Sequence, residues 1–222
     1  MSTQAKPPIP VTYLFDPLCG WCYGAAPMLQ RLRAVPGLAV ELAPTGLFSG
    51  GNRVMDANFA AYAWSNDQRI AKLSGQAFTL AYREKVLGAV GASFDSGPAT
   101  RALTAVWLEQ PAMEAEALRA IQSARYVEGR DVMARAVLVD ILEGIGLGAA
   151  AELFQAGGER LTAAVRDRVG AAQALMASLH LQGVPALATI ADGRPRALGA
   201  NALFGTIEAL LATLGLPQPL TA

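Results

Sequence analysis

Cysteine, histidine and net charge are scarce in this sequence. Its 222 residues contain two cysteines and one histidine, and 18 Lys and Arg residues balance 18 Asp and Glu residues. Without a basic excess the chain has little to neutralise phosphates with, so we expect neither nucleic acid nor a membrane surface as a partner. Two cysteines and one histidine are too few for a four-ligand zinc site unless carboxylates complete it, so we expect no metal.

Long hydrophobic runs are also missing, and we expect no signal peptide. No window approaches the ~18 uninterrupted apolar residues of a membrane span, and residues 1–8 contain no apolar signal core. Hydrophobic residues make up 53% of the chain and charged residues 16%, which predicts a globular protein rather than a disordered one. We therefore expect a cytoplasmic protein. Structural disulfides are rare in that reducing compartment, so the two cysteines are expected to be reactive.

Apolar spacing predicts strands near both ends of the chain and helices between them. The predicted strands are 11–15, 38–43, 186–190 and 196–199. The predicted helices are 22–34, 59–70, 97–110, 118–128, 132–143, 159–181 and a last one that Asn201 caps and that Gly215 and Pro217 end. Asp192-Gly193 is typical of a tight hairpin turn between the last two strands.

The motif that carries chemistry is Cys19-Gly20-Trp21-Cys22, at the turn from the first strand to a helix. A helix N-terminus favours a thiolate, because it presents unpaired N–H groups and the positive end of the helix dipole. We assign Cys19, expected at the exposed edge, as the nucleophile. Cys22, one helical turn inside, is assigned as the thiol that resolves the mixed disulfide. A half metal site and two inert buried thiols are the alternatives.

Three other positions are candidates around the thiols. If the Val184-Pro185 peptide bond is cis, the Val184 backbone is free to pair with an extended substrate. Trp21 is expected at the rim around Cys19, with core packing as the alternative. Asp16 is a candidate acceptor for the Cys22 proton, although Asp-Pro also starts turns, which is the simpler interpretation.

Two further features have plain structural interpretations. His180 ends a long predicted helix, where a packed or capping role is expected rather than a catalytic one. The stretch 46–53, with Gly-Gly-Asn-Arg at 50–53, is suited to an anion such as a glutathione carboxylate, but a linker into the helical region is the simpler interpretation.

The chain resembles the DsbA-like branch of the thioredoxin superfamily. The resemblance is carried by FDPLCGWCYG at 15–24, by AYAW at 61–64, by DSGPAT at 95–100 and by Val184-Pro185 ahead of a terminal hairpin. Within that branch it is similar to the group called predicted protein-disulfide isomerases, relatives of 2-hydroxychromene-2-carboxylate isomerase. The resemblance implies an α/β protein with a thioredoxin-like fold and a large inserted all-helical domain. Residues 1–48 and 181–222 would form the thioredoxin-like domain, and residues 49–180 the insertion.

The resemblance also implies a cis Pro185 and thiol–disulfide exchange at Cys19. The expected partner is a disulfide-containing protein or peptide, or glutathione. No bound cofactor is expected, because the cysteine pair itself carries two electrons, although glutathione is a candidate co-substrate. Strongly oxidising members carry Pro-His between their cysteines, whereas this chain carries Gly20-Trp21. Losing that imidazole removes a partner of the thiolate, which favours a reductase or isomerase over an oxidant.

Two other functions stay open at this point. One is a glutathione-dependent isomerase or transferase for small aromatic or polyketide-like compounds. Relatives with that chemistry typically have serine in place of Cys19 and lack the second cysteine, so both thiols count against it. The other is a non-catalytic binding module, which predicts an inaccessible Cys19.

Overall fold

A four-stranded mixed sheet places the cysteine motif. The computed structural model describes residues 7–51, 53–191 and 193–216. The strands are β1 (Ile9–Phe15), β2 (Leu38–Pro44), β3 (Ala186–Ala191) and β4 (Arg194–Leu198). Their order is β2-β1-β3-β4, with β1 parallel to β2 and antiparallel to β3, and β3 antiparallel to β4. The central strand β1 therefore leads directly into the motif.

Helices fill the chain between β2 and β3. Others lie between β1 and β2 and after β4. In the described residues they are α1 (Gly20–Gly24), α2 (Ala26–Arg33), α3 (Ala57–Ser74), α4 (Leu80–Tyr82), α5 (Gly97–Glu109), α6 (Glu114–Tyr126), α7 (Arg135–Gly144), α8 (Gly148–Ala156), α9 (Glu159–Ser178) and α10 (Ile207–Leu214). A π-helical turn (Arg83–Leu87) follows α4, and 3-10 turns precede α6 (Pro111–Met113) and α10 (Ala200–Phe204). None of these helices is long and apolar enough to cross a membrane.

The single helix predicted at 22–34 is wrong, because the chain forms two helices that meet at Ala25. Pro27 lies in the first turn of α2. A proline has no N–H to donate, and its ring clashes with the carbonyl four residues earlier, which is that of Tyr23. The break confines α1 to little more than the cysteine motif. The Ala-rich α8 was not predicted at all, because it lacks a clear apolar stripe.

The predicted cap of the last helix is also wrong. Asn201 lies inside the 3-10 turn, and the Thr206 side chain caps α10 instead, accepting from the Ala209 N–H at 3.2 Å. Gly215 ends that helix in the left-handed conformation, as expected. Asp192 and Pro217 lie outside the described residues.

The middle of the chain packs directly on the sheet. From α9, the Arg168 Nη2 donates to the Leu42 carbonyl of β2 at 2.8 Å and to the buried Glu114 carboxylate at 2.6 Å. Gln173 Nε2 donates to the Thr45 carbonyl at 3.0 Å. The helices and the sheet thus share hydrogen bonds as well as core. The division at residues 48 and 180 stays a prediction.

Candidate active site

The two cysteines lie at the start of α1, directly after β1. Cys19 is the N-cap residue, with an extended backbone (φ −82°, ψ 117°), and its carbonyl accepts from the Tyr23 N–H at 3.1 Å. Cys22 lies within the helix, and both thiols are free. The Cys22 thiol is within hydrogen-bonding reach of the Cys19 sulfur. The pair is therefore arranged at a helix N-terminus with its two sulfurs adjacent.

The expectation of an exposed Cys19 is wrong. Cys19 is 7% exposed and Cys22 is 1% exposed. The Cys19 Sγ donates to the Val184 carbonyl at 3.6 Å, so a segment far away in the sequence covers it. The outer sulfur is reached through a cavity of about 180 Å³ rather than from an open surface.

The environment makes the two thiols different. Burial raises the pKa of the Cys22 thiol well above its usual value, and the adjacent Cys19 raises it further. The backbone of Asp16 acts in the opposite direction, through a hydrogen bond to the Cys22 sulfur. The raised pKa holds Cys22 as a neutral thiol. Such an arrangement needs a proton acceptor when Cys22 reacts.

Asp16 is buried and satisfied on several sides. Its carboxylate accepts from the Leu18 N–H at 2.9 Å, from the Phe48 N–H at 3.1 Å and from the Ser96 hydroxyl at 2.7 Å. Burial raises the pKa of Asp16 in spite of these bonds, which lower it. The bond from the Leu18 N–H is the one expected if Asp16 starts a turn. The charge of Asp16 also raises the pKa of Cys22, so the carboxylate is electrostatically coupled to the resolving thiol.

Val184 and Pro185 lie beside the thiols, just before β3. Their peptide bond is cis, as the family resemblance implied. The Val184 carbonyl faces the Cys19 sulfur, and its N–H has no hydrogen-bond partner among the described residues. An extended chain placed along this segment would find an unused N–H donor next to Cys19.

Trp21 lies between solvent and core. It is half-buried, lines the cavity that contains Cys19, and packs edge-to-face on Phe204 with ring centroids 5.3 Å apart. The walls of that cavity are mostly apolar and aromatic. Phe48, Phe59 and Phe94 come from outside the motif.

The helical region adds three polar side chains that sequence reasoning missed. Asp67 on α3 lines the cavity, and its Oδ2 accepts from the Tyr82 hydroxyl at 2.9 Å. Burial raises the pKa of Asp67 to about 6. Arg125 on α6 lines the same cavity, and the neighbouring Tyr126 hydroxyl donates to the Leu18 carbonyl at 2.7 Å.

A signal for two of these residues exists in the sequence. Asp67 lies four residues after Ala63 and three before Ile70, and Arg125 lies four residues after Ile121. Both positions belong to the apolar stripe of a helix, where a charged residue is unusual. A charge on such a stripe indicates a functional or paired group.

His180 and Arg53 belong to the two features with plain interpretations, and Asn52 lies outside the described residues. His180 is exposed rather than packed, and it ends α9 with a positive φ of 54° and an N–H bond to the Ala177 carbonyl at 3.2 Å. Arg53 is exposed, and its guanidinium carbon lies 4.8 Å from the centre of the Phe59 ring. In the described residues, no three His, Cys, Asp or Glu side chains are grouped so as to hold a metal ion.

Solved structures with a similar fold include a cytosolic disulfide reductase, DsbM from Pseudomonas aeruginosa. It is 35% identical over 93% of this chain and 97% of that chain, with a TM-score of 0.81. A second structure of DsbM, with GSH, is 36% identical over 93% and 98%, with a TM-score of 0.78. A 2-hydroxychromene-2-carboxylate isomerase shares the fold at 18% identity, over 93% and 95%, with a TM-score of 0.62. No curated protein is similar enough in sequence to count as a match.

The family follows from the length and content of the match. A family model described as a DSBA-like thioredoxin domain matches residues 11–210. That range includes β1, the cysteine motif, the helical region and the hairpin of β3 and β4. The sheet and the helices between its second and third strands agree with an α/β thioredoxin-like fold carrying a helical insertion. This chain belongs to the family of proteins with a DsbA-like thioredoxin domain.

Proposed function

We propose that this protein is a thiol–disulfide oxidoreductase that works as a disulfide reductase or isomerase in the cytosol. The observation that carries the proposal is the Cys19 sulfur at the N-terminus of α1, facing the Val184 carbonyl, with the Cys22 thiol adjacent. The identity of 35% to a cytosolic disulfide reductase supports both the direction and the compartment.

The reaction would run in two exchanges. The Cys19 thiolate attacks one sulfur of a substrate disulfide, and the other sulfur leaves as a thiolate that takes a proton from solvent. Cys22 then loses its proton to the Asp16 carboxylate and attacks the Cys19 sulfur, releasing the second substrate thiolate. The substrate gains two electrons and the cysteine pair becomes a disulfide. Val184 would hold an extended substrate through its free N–H.

Recycling needs a thiol reductant, and we propose glutathione for that role. Two glutathione molecules would reduce the Cys19–Cys22 disulfide and leave as glutathione disulfide. The structure of the relative with GSH supports this co-substrate. The pair of cysteines carries both electrons, so the proposal includes no bound metal or organic cofactor.

The test is insulin reduction with glutathione as the reductant, followed by mass spectrometry of the trapped protein. Wild type should turn over, and Cys19→Ser should be inactive and form no adduct. Cys22→Ser should form one mixed disulfide per chain and then stop, because the resolving thiol is gone. Absence of turnover in wild type with an alkylatable Cys19 would contradict the proposal.

The apolar cavity next to Cys19 favours one alternative, a glutathione-dependent isomerase or transferase for small compounds. The same variants separate the two functions. An enzyme that needs only one sulfur for binding glutathione should keep its activity in Cys22→Ser, whereas disulfide turnover needs both thiols.

A further inference from the structure

The cavity beside Cys19 contains a buried cation that forms no ion pair with any described residue. Arg125 is 1% exposed and lines the cavity. Its Nε and Nη1 atoms are buried and have no hydrogen-bond partner among the described residues. A guanidinium stays protonated in proteins, so burial without a partner is energetically costly. A group that brings an anion to this position would relieve that cost.

The nearest carboxylates do not satisfy this guanidinium. The charge of Arg125 lowers the pKa of both Asp16 and Asp67, although burial outweighs it in each case. Asp16 accepts instead from two backbone N–H groups and a serine hydroxyl, and Asp67 accepts from the Tyr82 hydroxyl. Their hydrogen-bonding capacity is directed to other partners. The Nε and Nη1 groups of the guanidinium are left without an acceptor among the described residues.

Aromatic rings hold Arg125 in place. The guanidinium carbon lies 5.6 Å from the ring centres of Tyr82, Phe94 and Tyr126. Ring faces stabilise a cation, but they offer no acceptor in the guanidinium plane. The cation therefore lies among the rings of the cavity wall, with Nε and Nη1 unpaired among the described residues.

Two further arginines lie on aromatic rings of the same cavity. Arg53 lies over Phe59, and Arg69 lies over Trp21 with its guanidinium carbon 5.9 Å from the ring centre. Neither forms an ion pair with a described residue. The carboxylate of Asp56, near Arg53 in the chain, caps α3 by accepting from the Phe59 N–H. Two positive charges thus lie against rings of the cavity wall, and positive charge near a site attracts anionic substrates.

We propose that this cavity is an anion-binding subsite for small disulfides in which a flat apolar or aromatic group carries a carboxylate. The carboxylate would bind the Arg125 guanidinium, and the ring would lie against the aromatic walls. An apolar cavity of about 150 Å³ holds one benzene molecule, so 180 Å³ accommodates one substituted ring. The subsite rests on the proposed function, because Cys19 must attack the disulfide that carries this group.

The test uses two aryl disulfides that differ in charge. Dithiobis(nitrobenzoate) carries one carboxylate on each ring, and dithiodipyridine is uncharged at neutral pH. Reduced protein supplies both electrons: Cys19 displaces one aryl thiolate, and Cys22 then displaces the second while the protein disulfide forms. Both aryl thiols absorb light, so stopped-flow spectroscopy gives the two rate constants without any added reductant.

Arg125→Met keeps the length and apolar stem of the side chain while removing its charge. We expect the rate constant with dithiobis(nitrobenzoate) to fall by about tenfold or more, the value of one charged hydrogen bond. The rate constant with dithiodipyridine should stay within about twofold, since no anion is involved. Arg125→Lys should recover part of the difference. Arg119→Met, on the exposed side of the same helix, should change neither rate.

Added salt supplies a second readout. Salt should slow the reaction with dithiobis(nitrobenzoate) and leave the reaction with dithiodipyridine unchanged, because it screens the charges of Arg53 and Arg69. An equal fall with both disulfides in Arg125→Met would show a structural role and overturn the subsite. Rate constants that are the same in wild type and Arg125→Met would overturn it too. Normal reaction with dithiodipyridine would leave the proposed function intact. If reduced wild type released neither thiol, both proposals would fail.

Discussion

Oδ1 of Asp67 lies so close to Gly20 that a Cβ at residue 20 would overlap with it. Gly20 lies between the two cysteines, and Asp67 belongs to α3 of the helical region. The helical region thus presses a buried carboxylate against the first turn of α1. This close approach gives a physical reason for glycine at residue 20, in addition to its place in the motif.

Gly20→Ala should therefore destabilise the protein by about 1–3 kcal/mol, the usual cost of overpacking. Gly144→Ala is the matched control, because an added Cβ there meets nothing within 4 Å. That helical substitution should be neutral or stabilising by up to about 1 kcal/mol. Denaturant unfolding measures both. Combining Gly20→Ala with Asp67→Ala should recover much of the loss, and a strictly additive double variant would contradict the contact.

Asp67→Asn should remove part of the pH dependence of stability. The pKa of Asp67 is about 6 in the folded protein, above its ordinary value of 3.8. Between these values the folded state binds more protons than the unfolded state, so stability falls as pH rises through this window. The contribution of this group is at most about 3 kcal/mol.

The measurement is the free energy of unfolding between pH 4 and pH 7 for wild type and for Asp67→Asn. The asparagine keeps an acceptor for the Tyr82 hydroxyl. The free energy of unfolding of the variant should therefore increase relative to that of wild type as pH rises. Parallel curves for the two proteins would show that Asp67 titrates normally.

Asp16→Asn should slow release of the substrate from Cys19. Loss of a general base lowers a rate by roughly 10²–10⁴-fold. Because the pKa of Asp16 is raised, the wild-type rate should fall as the carboxylate becomes protonated at acidic pH, and the variant should lack this acid limb. Quenched-flow detection of the mixed disulfide measures the step.

The control for that experiment is Asp95→Asn. Asp95 accepts from the Gly50 and Gly97 backbone N–H groups and lies next to Ser96, which bonds Asp16. We expect Asp95→Asn to release the substrate from Cys19 at the wild-type rate. An acid limb that survives in Asp16→Asn would assign the proton transfer to another group.

Tyr126→Phe should loosen the segment that leads into Cys19. The Tyr126 hydroxyl donates to the Leu18 carbonyl inside the core, and removing it leaves that carbonyl unpaired at a cost of about 1–3 kcal/mol. Cys19 should then react faster with iodoacetamide, because the segment at Leu18 that leads into it moves more freely. Tyr23→Phe is the control, since its hydroxyl bonds the Ala77 carbonyl in a partly exposed position. Equal alkylation rates in wild type and Tyr126→Phe would contradict this role.

The reduction potential of the Cys19–Cys22 pair should lie nearer to about −270 mV, as in thioredoxin, than to about −120 mV, as in DsbA. Gly20-Trp21 places no imidazole beside the thiolate. The carboxylates of Asp16 and Asp67 lie close to the motif and disfavour added negative charge. Thiol trapping in glutathione buffers measures the potential. A value near that of DsbA would reverse the proposed direction.

Local sequence was informative wherever neighbouring residues decide the outcome. The strands, most of the helices and the placement of Cys19 and Cys22 at a strand-to-helix turn depend on short-range periodicity, on proline and on glycine. The errors at Pro27 and Asn201 are local as well. The first came from extending an apolar pattern across a proline. The second came from assigning the cap to Asn201, five residues before the Thr206 that caps the helix.

The surroundings of the thiols depend on contacts between distant segments. Cys19 was expected to be exposed, yet Val184 covers it, and side chains of α3 and α6 enclose its cavity. Asp67 and Arg125 belong to helices whose periodicity shows which face is buried but not what that face meets. Only the packing of α3 and α6 against the cysteine motif decided that a carboxylate and an unpaired guanidinium share one cavity with the nucleophile. The chemistry of the motif was determined by the sequence itself, because both reactive sulfurs lie within four consecutive residues. The selectivity of the site depends on long-range packing.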